Sequence, residues 1–189
     1  AEIACVLSNN LEAAGLKFAA DNSIPTRTID HRDFETREAF EAEITAYLED
    51  LQIDLICLAG FMRLLTEEFV NRWRDRILNI HPSLLPAFKG LHVHERAIES
   101  GARFTGCTVH FVRPEMDNGP IIAQAVVPIL EKDTPDELAA RILEQEHRIY
   151  PLALKLVAEG RVKIHGPRAM IERAQEQTLS LLNPKVENF

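Results

Sequence analysis

Apolar and polar positions alternate along this chain in short blocks of two kinds. Ile3-Ala4-Cys5-Val6-Leu7-Ser8 is a near-continuous apolar run that predicts a strand ending at Asn9-Asn10. Residues 11–21 carry a helical pattern, and residues 26–29 a short strand. Phe40, Ile44, Tyr47, Leu48 and Leu51 recur at the spacing of one helix face. Residues 54–60 (DLICLAG) and 76–82 (RILNIHP) predict two compact apolar strands, with a helix over 67–75 between them. A helix over 94–100 leads into a strand at 106–112 (GCTVHFV), and 120–130 (PIIAQAVVPIL) is the last long β run. Thr134-Pro135-Asp136-Glu137 reads as a helix start, with an N-cap Thr, a Pro at the first turn and a Glu placed for a capping box. That helix runs toward Gly160, with Pro151 expected to kink it. Beyond Ile164 the chain turns polar and only weakly helical.

Strands alternating with helices predict an α/β fold. The near-continuous apolar strands imply a Rossmann-like, doubly wound, mostly parallel sheet with helices on both faces. The runs flanking Asp117-Asn118-Gly119 are joined too tightly for a crossover helix, so they should form an antiparallel pair near the C-terminal strands. In open sheets of this kind, ligands bind beyond the carboxyl ends of the strands.

The 189 residues suit one domain, with residues 1–165 expected as the folded unit and 166–189 as a C-terminal tail. A net charge of −8 argues against a nucleic-acid surface. No apolar run approaches the roughly 18 residues of a membrane span. Cys5, Cys57 and Cys107 all fall in apolar β-type stretches, which predicts buried free thiols and a reducing, cytoplasmic setting.

The densest chemistry lies in Asn79-Ile80-His81-Pro82-Ser83. On a strand, Asn79 and His81 point to the same side, and Pro82 marks the strand's end. A donor amide beside an imidazole can hold a developing oxyanion. An Asn and a His satisfying loop backbone groups is the plainer alternative. Asp117, before Asn118-Gly119, is a natural turn former. If its strand neighbours that of Asn79 and His81, its carboxylate reaches the same crevice and can accept a proton. Arg63 could meet an anionic ligand. His92 and His94 offer an H-x-H spacing with no further ligand nearby, a weak metal signal. No phosphate loop or Gly-x-Gly-x-x-Gly occurs.

Several runs together resemble the phosphoribosylglycinamide formyltransferases: Ala59-Gly60-Phe61-Met62-Arg63-Leu64-Leu65, the 79–86 run, Gly106-Cys107-Thr108-Val109-His110-Phe111-Val112, Asp117-Asn118-Gly119-Pro120-Ile121-Ile122 and Gln145-Glu146-His147-Arg148-Ile149-Tyr150-Pro151. The resemblance covers residues 1 to about 162, in order. It implies transfer of a formyl group from 10-formyltetrahydrofolate to the amine of glycinamide ribonucleotide, with no metal. Asn79 and His81 would hold the formyl oxygen and the oxyanion, and Asp117 would orient and charge His81. Met62, Arg63, Leu64 and Leu65 would line the pterin pocket, with Arg113 and Met116 closing it and Arg37 facing the folate's glutamate tail. Glu146, Pro82 and His110 would contact the ribonucleotide. The implied partners are these small molecules, with neither nucleic acid nor membrane, and a homodimer is allowed.

The family begins with a further strand and a Gly-x-Gly-Ser-Asn turn for the substrate phosphate, and this chain opens at what resembles the second strand. The expectation is roughly 25 further residues upstream, forming a βα unit, and no phosphate-binding residue is assigned. Leu143 stands where relatives carry a polar substrate contact. Formyltetrahydrofolate deformylase and methionyl-tRNA formyltransferase share the three catalytic residue types. Pro82-Ser83-Leu84-Leu85 disfavours the first. The length and acidity of the chain disfavour the second. A folate-binding module without activity is the remaining alternative, and intact Asn79, His81 and Asp117 speak against it.

Overall fold

Strand β4 (Ile77–His81) organises the molecule, because its successive side chains enter two different cores. The structure, a computed structural model, describes residues 1–175 and 178–184. Ile77 packs with Ile29, Phe40, Ile44, Leu48, Phe69 and Trp73 on one face of the sheet. Leu78 packs with Val109, Phe111, Ile122, Leu138, Ile142 and Ile149 on the other. Helices therefore cover both faces, as the pattern predicts.

In chain order the elements are β1 (Val6–Ser8), α1 (Ala14–Asp21), β2 (Thr26–Thr28), α2 (Arg37–Asp50), β3 (Ile56–Leu58), α3 (Glu67–Arg72), β4, α4 (Val93–Glu99), β5 (Phe104–Phe111), β6 (Ile121–Pro128), α5 (Pro135–Ala158), β7 (Val162–His165) and β8 (Arg168–Ile171). Strands β1 and β2 form a two-stranded parallel sheet, and β3-β4-β5-β6 form the central one. The β5–β6 pair around Asp117-Asn118-Gly119 is antiparallel, as expected. The sheet is less parallel than the sequence suggests, because β3–β4 is parallel but β4–β5 is antiparallel. The connection from β4 to β5 explains this. Its one helix, α4, has seven residues and advances only about 10 Å. The chain therefore re-enters the sheet from the end it left.

Local signals set the helix starts. Thr36 caps α2 through the Ala39 amide at 3.1 Å. Thr134 and Glu137 exchange the reciprocal bonds of a capping box at the start of α5, a device worth about 0.5–2 kcal/mol. Helix α5 continues through Pro151 to Ala158. Strands come out shorter than the apolar runs. The run from Ile3 yields only Val6–Ser8, because its partner β2 offers three residues to pair with.

Two expectations change. The thiols are not all buried: Cys107 is, Cys5 is half-buried, and Cys57 is exposed on edge strand β3. Burial and the nearby Glu146 carboxylate push the Cys107 thiol up to about 12, so it is inert. The weakly helical tail expected beyond Ile164 is instead entered by a β-hairpin, β7–β8. Its alternating Val162, Ile164, Ala169 and Ile171 pack onto the second core. The boundary expected at 165/166 falls in the hairpin turn, where Gly166 has φ +59°. Of the tail, residues 176–177 and 185–189 lie outside the described residues.

Asp133 ties β6 to α5. Arg141 donates to both its carboxylate oxygens, at 2.8 and 2.7 Å, and the Leu130 amide donates at 2.8 Å. The Arg141 bonds hold the Asp133 carboxyl below its usual range. A depressed carboxyl stabilises the fold above its unfolded value of about 3.9 and loses that contribution as pH falls through the folded value. We expect Asp133→Asn to cost about 1–3 kcal/mol at pH 7 and to flatten stability below pH 4. Urea melts of both forms at pH 7 and pH 3 check this, and equal losses at the two pH values would refute it.

Candidate active site

A cavity of about 620 Å³ opens beyond the ends of β3 and β4. Its walls are the segment 60–65 after β3, Asn79 to Pro82 of β4, the stretch 90–95 entering α4, His110 of β5, the loop after β5 and Glu146 of α5. The hydroxyl of Tyr150 on α5 donates to the Leu58 carbonyl at 2.7 Å and lies 3.1 Å from that of Leu78, fastening the rim of the two strands.

Asn79 and His110 sit directly opposite each other on β4 and β5. His110 Nδ1 lies 2.9 Å from the Phe111 carbonyl. A carbonyl only accepts, so Nδ1 carries the ring proton. Burial lowers the pKa of His110 and keeps the ring neutral, leaving Nε2 bare. That lone pair accepts from the Asn79 Nδ2 amide at 3.4 Å. The amide is thereby held with its nitrogen toward His110.

His81 is oriented from its other edge. Its Nε2 donates to the Phe88 carbonyl at 2.9 Å, so Nδ1 is the nitrogen facing Asp117, 3.5 Å from Oδ2. Asp117 Oδ2 also accepts the Gly90 amide at 2.8 Å, and Oδ1 lies 3.9 Å from His110 Nε2. Both His81 and Asp117 are about nine-tenths buried. Asp117 holds a left-handed φ of +51°, a conformation that Asp tolerates better than most residues. Two positions later only glycine fits, because a Cβ on Gly119 would sit 1.6 Å from the Phe111 carbonyl oxygen. Sequence distances of 31 and 36 residues are thus closed by strand register and one tight turn.

Met62, Arg63, Leu64, Leu65, Pro82, His110, Arg113, Met116 and Glu146 also line the cavity. Burial raises the carboxyl of Glu146. The Nε of Arg63 is buried without a hydrogen-bond partner. The guanidinium of Arg113 is held by Asp75 in the cavity wall. Arg37 is the exposed first residue of α2 and lies outside the cavity lining. Leu143 is half-exposed and also outside the lining.

Phe61, His92, Val93 and His94 line the cavity without having been singled out for it. Phe61 lies inside a motif already noticed, so adjacency was its signal. His92 and His94 attract attention only as a metal spacing. In the fold His94 is part of the wall, its pKa lowered by burial and its Nδ1 without a partner.

Among the described residues, no serine, threonine, cysteine or lysine lines the cavity. An amide donor, an imidazole and a carboxylate remain, which suit direct transfer of a carbonyl-level carbon between two bound molecules. By fold and by site the molecule falls in the α/β group-transfer class. Residues 1–154 match the formyl transferase family model, and the chain belongs to that family.

Among its relatives is the phosphoribosylglycinamide formyltransferase of Escherichia coli, 43% identical over 90% of this chain and 80% of that protein. The trifunctional purine biosynthetic protein adenosine-3 of Gallus gallus is 50% identical over 87% of this chain. This chain spans only 16% of that longer protein. The crystal structure of glycinamide ribonucleotide transformylase 1 from Symbiobacterium toebii superimposes with a TM-score of 0.87 at 48% identity, covering 89% of this chain and 79% of that one.

Proposed function

We propose that this chain transfers the formyl group of 10-formyltetrahydrofolate to the primary amine of glycinamide ribonucleotide. The observation that carries the reading is the convergence of Asn79, His81 and Asp117 on one cavity that, among the described residues, has no serine, threonine, cysteine or lysine in its lining. The names of the relatives point to the same reaction.

The amine nitrogen attacks the formyl carbon and forms a C–N bond, and the carbonyl electrons move onto oxygen. The Asn79 amide N–H and protonated His81 Nδ1–H donate to that oxyanion. Asp117 stabilises the charge on His81 and, directly or through water, takes the proton released by the amine. Collapse breaks the bond to N10 of the folate, and the proton taken from the amine is passed on to that nitrogen. The products are formylated glycinamide ribonucleotide and tetrahydrofolate. Met62, Arg63, Leu64, Leu65, Arg113 and Met116 wall the pterin end, and backbone groups of the 62–65 segment bond the ring. Glu146, Pro82 and His110 lie on the amine side, with His110 acting through Asn79. Arg37 would meet only a glutamate tail extending past the cavity mouth. We place the reaction in a reducing cytoplasm, where three unpaired thiols persist.

The test is loss of the formyl donor in the presence and absence of glycinamide ribonucleotide. Donor loss that requires the ribonucleotide, with one formylated product per donor consumed, is expected. Equal loss with water alone makes the protein a hydrolase of the same donor and overturns the reading. Folate binding with no turnover in either arm makes it a binding module.

A further inference from the structure

Segment 61–65, which forms one wall of the cavity, makes no backbone or side-chain hydrogen bond among the described residues. Its polar backbone is therefore free for a ligand, and its shape depends on how its ends are fixed. The upstream end leaves β3 through Gly60, at φ +66°. The downstream end is Thr66, the N-cap of α3, whose hydroxyl accepts the Phe69 amide at 3.2 Å.

Glu41 of α2 grips that residue. Its carboxylate accepts the Thr66 amide at 3.0 and 3.2 Å, and also the Thr66 hydroxyl proton. All three of its described hydrogen bonds go to Thr66, and the side chain is 97% buried by its 3% exposure. Elsewhere α2 buries Phe40, Ile44 and Leu48, so an apolar residue here would fill space more cheaply than a carboxylate. The hydroxyl has one proton. Giving it to Glu41 leaves the oxygen lone pairs for the Phe69 amide, so the carboxylate fixes the direction of the cap as well as the position of the chain. Leu64 and Leu65 just before Thr66, and Val70 just after it, all line the cavity.

We propose that Glu41 is a positioning residue for the folate: through Thr66 it sets the 61–65 segment in the shape that binds the pterin ring. This rests on the functional reading above. It assigns Glu41 no contact with substrate. Its effect belongs to donor binding and not to the chemical step.

The experiment compares Glu41→Gln, which keeps the shape but not the charge, with Thr66→Ala and Thr66→Ser. Glu41→Gln and Thr66→Ala should each raise the KM for the folate by about tenfold, with kcat and the KM of the amine substrate within about threefold. Thr66→Ser keeps both bonds and should behave as wild type. The double variant Glu41→Gln/Thr66→Ala should be no worse than the more affected single one. Amide hydrogen exchange at Thr66 and Phe69, measured without ligand, should accelerate in Glu41→Gln. Unchanged exchange overturns the latch itself. Faster exchange with an unchanged folate KM reduces Glu41 to a helix cap and overturns the proposal. A wild-type protein that does not bind folate overturns the functional reading, an outcome visible before any substitution is made.

Discussion

Asn79→Ala lowers the rate of formyl transfer by about 10²–10³-fold, the usual cost of removing one oxyanion donor, while affinity for the folate stays within a few-fold. The amide is a donor for charge that exists only in the tetrahedral intermediate, so its loss raises the barrier more than it weakens ground-state binding. The amide's orientation comes from His110, whose Nδ1 proton is committed to the Phe111 carbonyl and whose bare Nε2 accepts from Asn79. His110→Gln, which can still accept, should therefore retain more rate than His110→Phe, which cannot. Single-turnover rates with saturating folate, and binding of a non-reactive folate analogue, measure the two quantities separately. Turnover within a few-fold of wild type in Asn79→Ala would refute the oxyanion role. A fall in folate affinity that accounts for the whole effect would make Asn79 a binding residue instead.

What the sequence made legible was local. The start of α5 is written in four consecutive residues, and the structure has the capping box that they spell. The two cores follow from apolar spacing, since Phe40, Ile44 and Leu48 recur at one helix face and Ile77 and Leu78 point to opposite sides of a strand. What depended on partners was not legible. The extent of β1 is set by the three residues of β2, and the antiparallel entry of β5 by how little distance α4 covers. The β7–β8 hairpin carries a period-two pattern in Val162, Ile164, Ala169 and Ile171, but two four-residue strands give a weak signal beside charged neighbours.

The candidate site divides in the same way. Asn79 and His81 announce themselves by spacing on one strand. That Asp117 meets them depends on β5 lying beside β4, which no local pattern dictates. His110 could be picked out as a residue, but its bond to Asn79 needs the strand register. Arg37 rests on the resemblance alone, since its exposed place at the start of α2 lies outside the cavity lining and no local pattern marks it. Glu41 gave no signal at all. A glutamate beside Phe40 in a helix reads as part of a solvated face until Thr66, 25 residues away, is seen against it.

Asp117→Asn should lower kcat by about 10²–10⁴-fold, the range for loss of a positioned acid–base group. The substitution keeps the side chain's size and leaves an oxygen to accept the Gly90 amide, now bonded at 2.8 Å. The left-handed backbone at this position suits Asn as readily as Asp, and Gly119 continues to hold the turn against Phe111. The fold should therefore tolerate the change, and what disappears is the charge. Without it His81 Nδ1, 3.5 Å away, loses its anionic partner, and the proton of the attacking amine loses its acceptor. The rate loss should appear in single-turnover experiments with both substrates saturating. The unfolding midpoint in urea should stay near wild type, and the Gly90 amide resonance should report an intact bond. Full turnover in Asp117→Asn would leave the residue as a turn former and return the acid–base role to water or Glu146. A collapse of stability equal to the loss of rate would show instead that the carboxylate serves the loop and not the reaction.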